Sequence, residues 1–106
     1  MSVAPKLSVL FATSEVAPLI KTGGLADVAG SLPAALMQAG LDVRVLVPGY
    51  RQLLENVKSR GKLVSFPAIG EMPASQLLAA KLPNGVPLLI VDCAQLYDRP
   101  GGRFQR

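Results

Sequence analysis

The sequence contains no histidine, no tryptophan and a single cysteine, Cys93. One cysteine cannot form a disulfide within the chain, so a reducing compartment is the simpler assumption. Without histidine, the chain has neither a Ser-His nor a Cys-His triad, and the shortage of ligands excludes a zinc site of its own. Cys93 lies at the end of a predicted strand and is expected to be a buried packing residue rather than a nucleophile.

Aromatic residues are few, at 5% of the chain, and the net charge is only +4. The basic residues form no stripe at helical spacing, so we expect no nucleic-acid partner and at most a mild affinity for anions. The apolar runs are far too short to cross a membrane. The start of the chain lacks the basic segment and long apolar run of a signal peptide. These absences predict a cytoplasmic protein without a membrane partner.

Half of the 106 residues are apolar, which is typical of a small globular domain with one core. Leu7–Ala12 is predicted to be a buried strand, and Asp42–Pro48 a second one. Between them an amphipathic helix is expected from Leu25, with Gly40 at its C-terminal cap and a kink at Pro33. Its apolar stripe consists of Leu25, Val28, Ala29, Leu32, Leu36 and Ala39. Strand, helix and strand make a βαβ unit.

The rest of the chain is predicted to contribute a short helix and three strands, with a loop at the end. These are the helix Tyr50–Ser59, the strands Lys62–Ala68, Gln76–Leu82 and Pro87–Cys93, and the loop Asp98–Gly102. The segment Pro83-Asn84-Gly85-Val86 has the Asn-Gly signature of a tight hairpin. About two parallel strands plus a hairpin are fewer than a doubly wound domain needs. We therefore expect an incomplete α/β domain, with a complete small α/β protein as the alternative.

The strongest candidate site is the loop Lys21-Thr22-Gly23-Gly24-Leu25, which follows the first strand and opens the helix. Gly23 and Gly24 have no Cβ, so main-chain N–H groups can approach an oxyanion closely. The helix N-terminus favours a negative ligand, and Lys21 adds a positive charge. This combination predicts a diphosphate site. The spacing fits neither a Walker A loop nor Gly-x-Gly-x-x-Gly. A simple turn with Lys21 solvated is the alternative.

Other polar residues near this loop each allow two interpretations. Glu15 either faces a ligand hydroxyl at the edge of the cleft or is a solvated acid or partner of Lys21. Asp27 either offsets the helix dipole in the first turn or contacts the ligand. Tyr97, with Asp98 and Arg99, either borders the same cleft or lies in a surface turn.

Taken together, these residues resemble the amino terminus of the bacterial glycogen synthase and plant starch synthase family. The order and spacing fit along nearly the whole chain, and Lys21–Val28 is the most specific string. The resemblance also places a proline in the first helix, as here. It is carried by Ser14-Glu15-Val16-Ala17-Pro18, Lys21-Thr22-Gly23-Gly24-Leu25-Ala26-Asp27-Val28, Ser31-Leu32-Pro33-Ala34-Ala35-Leu36, Gly40 to Pro48, and Leu96-Tyr97-Asp98-Arg99-Pro100-Gly101.

The resemblance implies a GT-B glycosyltransferase with two Rossmann-like domains, of which residues 1–106 begin the amino-terminal one. It implies retaining transfer of glucose from ADP-glucose to the non-reducing end of an α-1,4-glucan such as glycogen, without a metal or another cofactor. Lys21 then lies at the donor's phosphates, the amides around Gly23 and Gly24 stabilise the leaving diphosphate, and Tyr97 lies near the sugar cleft.

The resemblance places further binding and catalytic residues of the family after the position of Arg106. The second domain supplies most adenosine contacts, and no catalytic residue is expected within this fragment. We therefore expect residues 1–106 to be inactive alone, with the full-length protein being the enzyme. The competing hypothesis is a free-standing nucleotide- or anion-binding α/β domain without catalysis. The choice between ADP-glucose and UDP-glucose stays open, because the residues that contact the base are missing.

Overall fold

The computed structural model describes residues 7–57 and 60–97. These residues form one sheet of five strands with three helices. The strands are β1 Ser8–Ala12, β2 Asp42–Pro48, β3 Gly61–Phe66, β4 Ser75–Lys81 and β5 Pro87–Asp92. The helices are α1 Gly24–Gln38, α2 Arg51–Asn56 and α3 Ala94–Tyr97. The predicted βαβ unit is confirmed as β1, α1 and β2, and each further predicted strand is present within two residues of its expected start.

The strand order is β1-β2-β5-β4-β3. β1 pairs with β2 in parallel, and β2 pairs with β5 in parallel. β3 and β4 complete the sheet with antiparallel pairing. Three strands are therefore parallel, and the expectation of about two was wrong. The reason is that β5 leaves the hairpin beside β2, a long-range pairing that no local pattern predicts.

The hairpin between β4 and β5 is confirmed, but its turn is longer than an Asn-Gly pair predicts. The N–H of Leu82 donates to the Val86 carbonyl at 2.9 Å, which leaves Pro83, Asn84 and Gly85 in the loop. Only Gly85 of these has a positive φ, at 91°. A type I′ turn needs positive φ at both central residues, whereas a three-residue loop needs it once, at the position that glycine occupies here.

The core lies on one face of the sheet. Buried residues of β2 and β5 alternate with half-buried or exposed ones, as a strand covered on one face requires. No residue of β1 is buried, so the prediction of a buried strand there was wrong. The buried cluster consists of Val16, Leu19, Ile20, Ala29, Val45, Val47, Leu53, Val57, Leu78, Leu82, Val86, Leu88 and Ile90. The segment between β1 and α1 supplies the first three of these residues, so it is part of the core.

Helix α1 packs through small residues, and of the predicted stripe only Ala29 is buried. Ala26, Ala29 and Pro33 are buried, whereas Leu25 and Val28 are about half exposed. The expectation that the large apolar residues face this core was therefore wrong. The helix approaches the chain too closely for them, since a Cβ added at Gly30 would lie 3.0 Å from the carbonyl oxygen of Ala17. Of the large residues in the stripe, Leu25, Val28 and Leu32 are exposed and Leu36 is half-buried.

The predicted end of α1 is confirmed. The helix continues through Pro33 to Gln38, and Gly40 then takes a φ of 97°. The N–H of Gly40 donates to the Met37 carbonyl at 3.0 Å, and that of Leu41 donates to the Leu36 carbonyl at 3.2 Å. These two bonds form a Schellman motif, in which glycine takes the left-handed conformation at low cost.

Candidate functional site

The candidate site lies at the carboxyl edge of the parallel strands. Because β1, β2 and β5 run in the same direction, the segments that follow them meet at one edge of the sheet, where α/β proteins bind ligands. The segment after β1 contains Lys21 and the two glycines, Tyr50 follows β2, and Tyr97 lies in α3 after β5. The rings of the two tyrosines meet edge to face, with centroids 5.5 Å apart.

The segment between β1 and α1 is fixed along its length. The N–H groups of Val16 and Ile20 each donate to the other residue's carbonyl at 3.0 Å. The side-chain amide of Asn56, at the end of α2, donates to the Leu19 carbonyl at 2.9 Å. This segment therefore supports the glycines as a packed structure rather than as a mobile loop.

Glu15 is buried beside the glycines, with 1% of its surface exposed. Its Oε1 accepts the N–H of Ala26 at 3.0 Å, and its Oε2 accepts the N–H of Thr22 at 3.3 Å. The hydroxyl of Thr22 also donates to Oε2. The carboxylate thus accepts main-chain donors on both sides of Gly23 and Gly24. The interpretation of Glu15 as a solvated acid or a partner of Lys21 was wrong, because the carboxylate faces inward onto the start of α1.

Lys21 pairs with Asp27 instead. Its Nζ lies 2.8 Å from Oδ1 and 2.9 Å from Oδ2 of the aspartate. The two side chains are about half exposed, at 52% and 58%. An ion pair at such exposure contributes little to stability, about 0–1 kcal/mol. Lys21 therefore lies beside the first turn of α1, where exchanging its partner for an incoming anion costs little.

The two glycines leave open space at the start of the helix. Among the described residues, nothing lies within 4 Å of a Cβ built on Gly24, and a Cβ on Gly23 would meet only Oε1 of Glu15, at 4.0 Å. Gly23 precedes α1 in an extended conformation, with φ near −170°, that any residue can adopt. Neither backbone strain nor packing within the described residues therefore calls for glycine at these two positions.

Tyr97 lies in the wall of a cavity of about 380 Å³ at the same edge of the sheet. Ala12, Thr13 and Ser14 at the end of β1 line the same cavity. The remaining lining residues are Leu46, Val47, Pro48 and Val91. The structure thus brings Tyr97 to the start of the segment that contains Glu15 and Lys21. Asp98 and Arg99, expected beside it, lie outside the described residues.

Three further observations concern Cys93, metal ions and membranes. Cys93 is buried, as expected, and its Sγ lies 3.6 Å from the Ala74 carbonyl. In the described part of the chain, no group of three or more potential ligands is arranged to hold a metal ion. No helix within residues 7–57 and 60–97 is both long and apolar enough to span a bilayer.

Sequence reasoning overlooked Thr22, whose hydroxyl and N–H both donate to Glu15. The sequence does contain one signal for the bonding of Glu15 to this loop. Helix α1 begins after Gly23, which has no side chain to accept the first-turn N–H groups. A side chain from elsewhere in the chain can then act as the acceptor, and Glu15 is the only acid between β1 and the glycines.

Comparison with known proteins gives consistent matches over almost the whole chain. The family described as the starch synthase catalytic domain matches residues 8–106. The glycogen synthase of Nitrosospira multiformis is 50% identical over 104 residues, which cover 94% of this chain and 21% of that protein. The glycogen synthase of Dechloromonas aromatica is 52% identical over 99 residues, covering 92% and 20%. The chain therefore spans about a fifth of the length of these curated relatives.

The fold has a counterpart among solved structures. The catalytic domain of starch synthase IV from Arabidopsis thaliana, bound to ADP and acarbose, aligns with a TM-score of 0.77 and 23% identity. The alignment covers 96% of this chain and 22% of that one. The described architecture is thus the fold of one part of a larger catalytic domain, as expected for an incomplete Rossmann-like unit.

Proposed function

This chain belongs to the starch synthase catalytic domain family, and from that premise we propose that the full-length protein is a glycogen synthase. It transfers glucose from ADP-glucose to the non-reducing 4-hydroxyl of an α-1,4-glucan, with retention at the anomeric carbon. The named relatives are glycogen synthases, and the similar solved structure holds ADP and acarbose, which supports a nucleotide-sugar donor and a glucan acceptor.

The proposed donor site is the start of α1, with Lys21, Gly23 and Gly24 at the diphosphate of ADP-glucose. The observation that carries this assignment is the open space above the two glycines. Gly24 and Leu25 are the first residues of a helix, so their N–H groups have no partner inside it. Glycine leaves these donors accessible, and the helix dipole favours a phosphate there.

These groups act on the charge that forms during the reaction. When the bond between glucose C1 and the diphosphate oxygen breaks, its electron pair stays on ADP. C1 then becomes bonded to the acceptor oxygen, whose proton is released, so the products are ADP, the extended glucan and one proton. Amides and an ammonium group already in place at the diphosphate stabilise the negative charge as it develops. Neither a metal nor another cofactor enters this scheme.

Several properties of the whole protein belong to the same proposal. Residues 1–106 form the amino-terminal part of the first of two Rossmann-like domains in a cytoplasmic GT-B enzyme. Asp27 and Tyr97 border the cleft between these domains, with Tyr97 toward the sugar, and Glu15 lies buried beneath the loop at its edge. The groups that complete the donor site and carry out the chemistry lie in the rest of the protein, so we expect residues 1–106 alone to incorporate no glucose.

The decisive experiment measures glucose incorporation into glycogen by the full-length protein and by its Lys21→Ala variant. Loss of a charge-assisted phosphate contact costs about 1.5–3 kcal/mol, which lowers kcat/KM for ADP-glucose about tenfold to a hundredfold. Lys81→Ala removes an exposed lysine at the end of β4 and serves as the matched control, with activity unchanged.

Three outcomes contradict the proposal. Unchanged kcat/KM in Lys21→Ala would leave Lys21 a solvated lysine of a turn. Preference of the wild-type protein for UDP-glucose would overturn the donor assignment. Binding of ADP by residues 1–106 alone, with one cooperative unfolding transition and no activity in any longer form, would favour the free-standing binding domain.

A further inference from the structure

We propose that Glu15 is a positioning residue, whose buried carboxylate holds the loop Lys21–Leu25 (the diphosphate loop) in its binding conformation by fixing Thr22 and Ala26. The inference rests on the proposed function, because it concerns how the donor site is maintained. It differs from the interpretation of Glu15 as a ligand contact, since the carboxylate acts through the main chain of the loop.

The geometry brackets the glycines between two fixed points. Oε2 of Glu15 accepts both donors of Thr22, immediately before Gly23, and Oε1 accepts the N–H of Ala26, two residues after Gly24. Gly23, Gly24 and Leu25 lie between these anchors. The N–H of Ala17 also donates to the Ala26 carbonyl at 3.0 Å, so the segment next to Glu15 contacts the same helical turn.

The anchoring begins at the end of β1. The N–H of Thr13 donates to the Leu46 carbonyl of β2 at 2.9 Å. The hydroxyl of Thr13 donates to the Glu15 carbonyl at 2.8 Å and accepts the Glu15 N–H at 3.4 Å. The sheet thus fixes the backbone of Glu15, and the side chain of Glu15 fixes the loop. This continuous path joins the rigid core to the proposed phosphate site.

The hydrogen bonds around Glu15 suit an ionised carboxylate, because both of its oxygens accept hydrogen bonds. A buried carboxylate is tolerated where hydrogen bonds and a favourable field compensate for lost hydration, and here it accepts main-chain donors at the positive end of a 15-residue helix. Bonds to an ionised acceptor are about twice as strong as neutral ones. Glycine has the greatest backbone freedom of any residue, so the conformation of Gly23 and Gly24 has to be fixed by contacts from their neighbours.

The burial of Glu15 argues against direct contact with the donor. Only 1% of its surface is exposed, and a carboxylate facing the diphosphate would repel it. Its effect on binding therefore passes through the position of the loop. Displacement of a binding group by about 1 Å can cost about a hundredfold in rate, so losing such an anchor is expected to be measurable.

The test uses Glu15→Gln in the full-length protein, with calorimetric titration of ADP. Glutamine keeps the shape, but its single carbonyl can accept only one of the two main-chain donors. We expect the Kd for ADP to rise about tenfold or more, with the binding stoichiometry near that of wild type. A merely structural role would instead lower the stoichiometry and leave the affinity of the remaining sites unchanged. Glu71→Gln makes the same chemical change at an exposed position and is the control, with unchanged Kd.

Thr22 provides a second test that leaves Glu15 intact. Thr22→Val removes the hydroxyl donor at constant shape, and Thr22→Ser restores it. We expect weaker ADP binding in the valine variant and near wild-type binding in the serine variant. In Glu15→Gln combined with Thr22→Val, the loss of affinity should be smaller than the product of the single losses, because both variants break the same anchor.

The outcomes separate this inference from the proposed function. Unchanged ADP affinity in Glu15→Gln, together with impaired Lys21→Ala, overturns the positioning role alone. Unchanged activity in Lys21→Ala overturns the proposed donor site, and failure of the full-length wild-type protein to incorporate glucose overturns the proposed function itself. If Glu15→Gln does not fold, the Thr22 pair decides, and equal affinity in the valine and serine variants rejects the anchor.

Discussion

The sheet has a buried interior and an exposed border, and the proposed site depends on only one of them. In the central strands β2 and β5, Val45, Val47, Leu88 and Ile90 are fully buried. In the border strand β3 every residue is exposed, including the apolar Leu63. Both regions are rich in strand-forming residues, so composition does not cause the difference. The central strands have α1, α2 and the Val16–Ile20 segment packed on one face.

The difference in burial between the central strands and β3 shows which contacts fix the position of the proposed site. Val16, Leu19 and Ile20, just before Lys21, belong to the same buried cluster as Val45 and Ile90. The position of the proposed diphosphate site is therefore set by the packing of the central strands. The border strand, on the far side of β4, adds sheet pairing without contributing to the described core.

The largest contrast is expected between two leucine truncations. Leu88→Ala on β5 removes a fully buried side chain and leaves a cavity, which costs about 2–5 kcal/mol. Leu63→Ala on β3 removes a side chain that is 59% exposed and should change stability by less than about 0.5 kcal/mol. Calorimetric unfolding of the full-length variants measures both. Equal costs would break the comparison and mean that another part of the protein covers β3.

A matched pair of glycine substitutions sharpens the comparison at the backbone. A Cβ at Gly49, after β2, would lie 2.9 Å from the Val91 carbonyl oxygen, so Gly49→Ala should destabilise the protein by about 1–3 kcal/mol. Gly61→Ala on β3 meets nothing within 4 Å among the described residues and needs no positive φ. Its expected effect is at most about 1 kcal/mol, in the stabilising direction. Thermal unfolding of the two variants side by side is the measurement, and a destabilising Gly61→Ala would contradict it.

The smallest expected effect concerns the exposed ion pair of Lys21 and Asp27. Asp27→Asn keeps the shape and removes one charge, so the unfolding free energy should change by less than about 1 kcal/mol. The change should shrink further when salt is added, because exposed charges are screened. A cost that approaches that of Leu88→Ala, or that persists in high salt, would show that the polar surface of the loop stabilises the fold as burial does.

Local signals predicted most elements of this chain. The change from strand-like runs to a helical period located β1, α1 and β2, and Gly40 marked the end of the helix. Asn84-Gly85 located the hairpin. These predictions succeeded because hydrophobic period and turn chemistry act between neighbours in sequence. The parallel pairing of β5 with β2 was missed because it joins strands that are far apart along the chain.

The predicted packing face of α1 and the interpretation of Glu15 as a solvated acid were wrong for a different reason. The helical period of Leu25 and Val28 is genuine, but tight packing at Gly30 selects the small residues for the described core. Glu15 was ambiguous because its partner at Ala26 is 11 residues further along the chain. Which face packs, and which carboxylate caps a distant helix, are decided by tertiary contacts that composition and spacing do not encode.

The link from Glu15 to Ala26 also changes what counts as a transferable unit for protein engineering. Grafting Lys21-Thr22-Gly23-Gly24-Leu25 onto another strand-to-helix turn would carry the proposed phosphate-binding groups without the carboxylate that accepts their main-chain hydrogen bonds. The unit to move extends from Thr13, which joins the Glu15 backbone to the sheet, through Asp27. Because Glu15 and Thr22 are hydrogen-bonded to each other, the two should be varied together in any redesign of the proposed donor site.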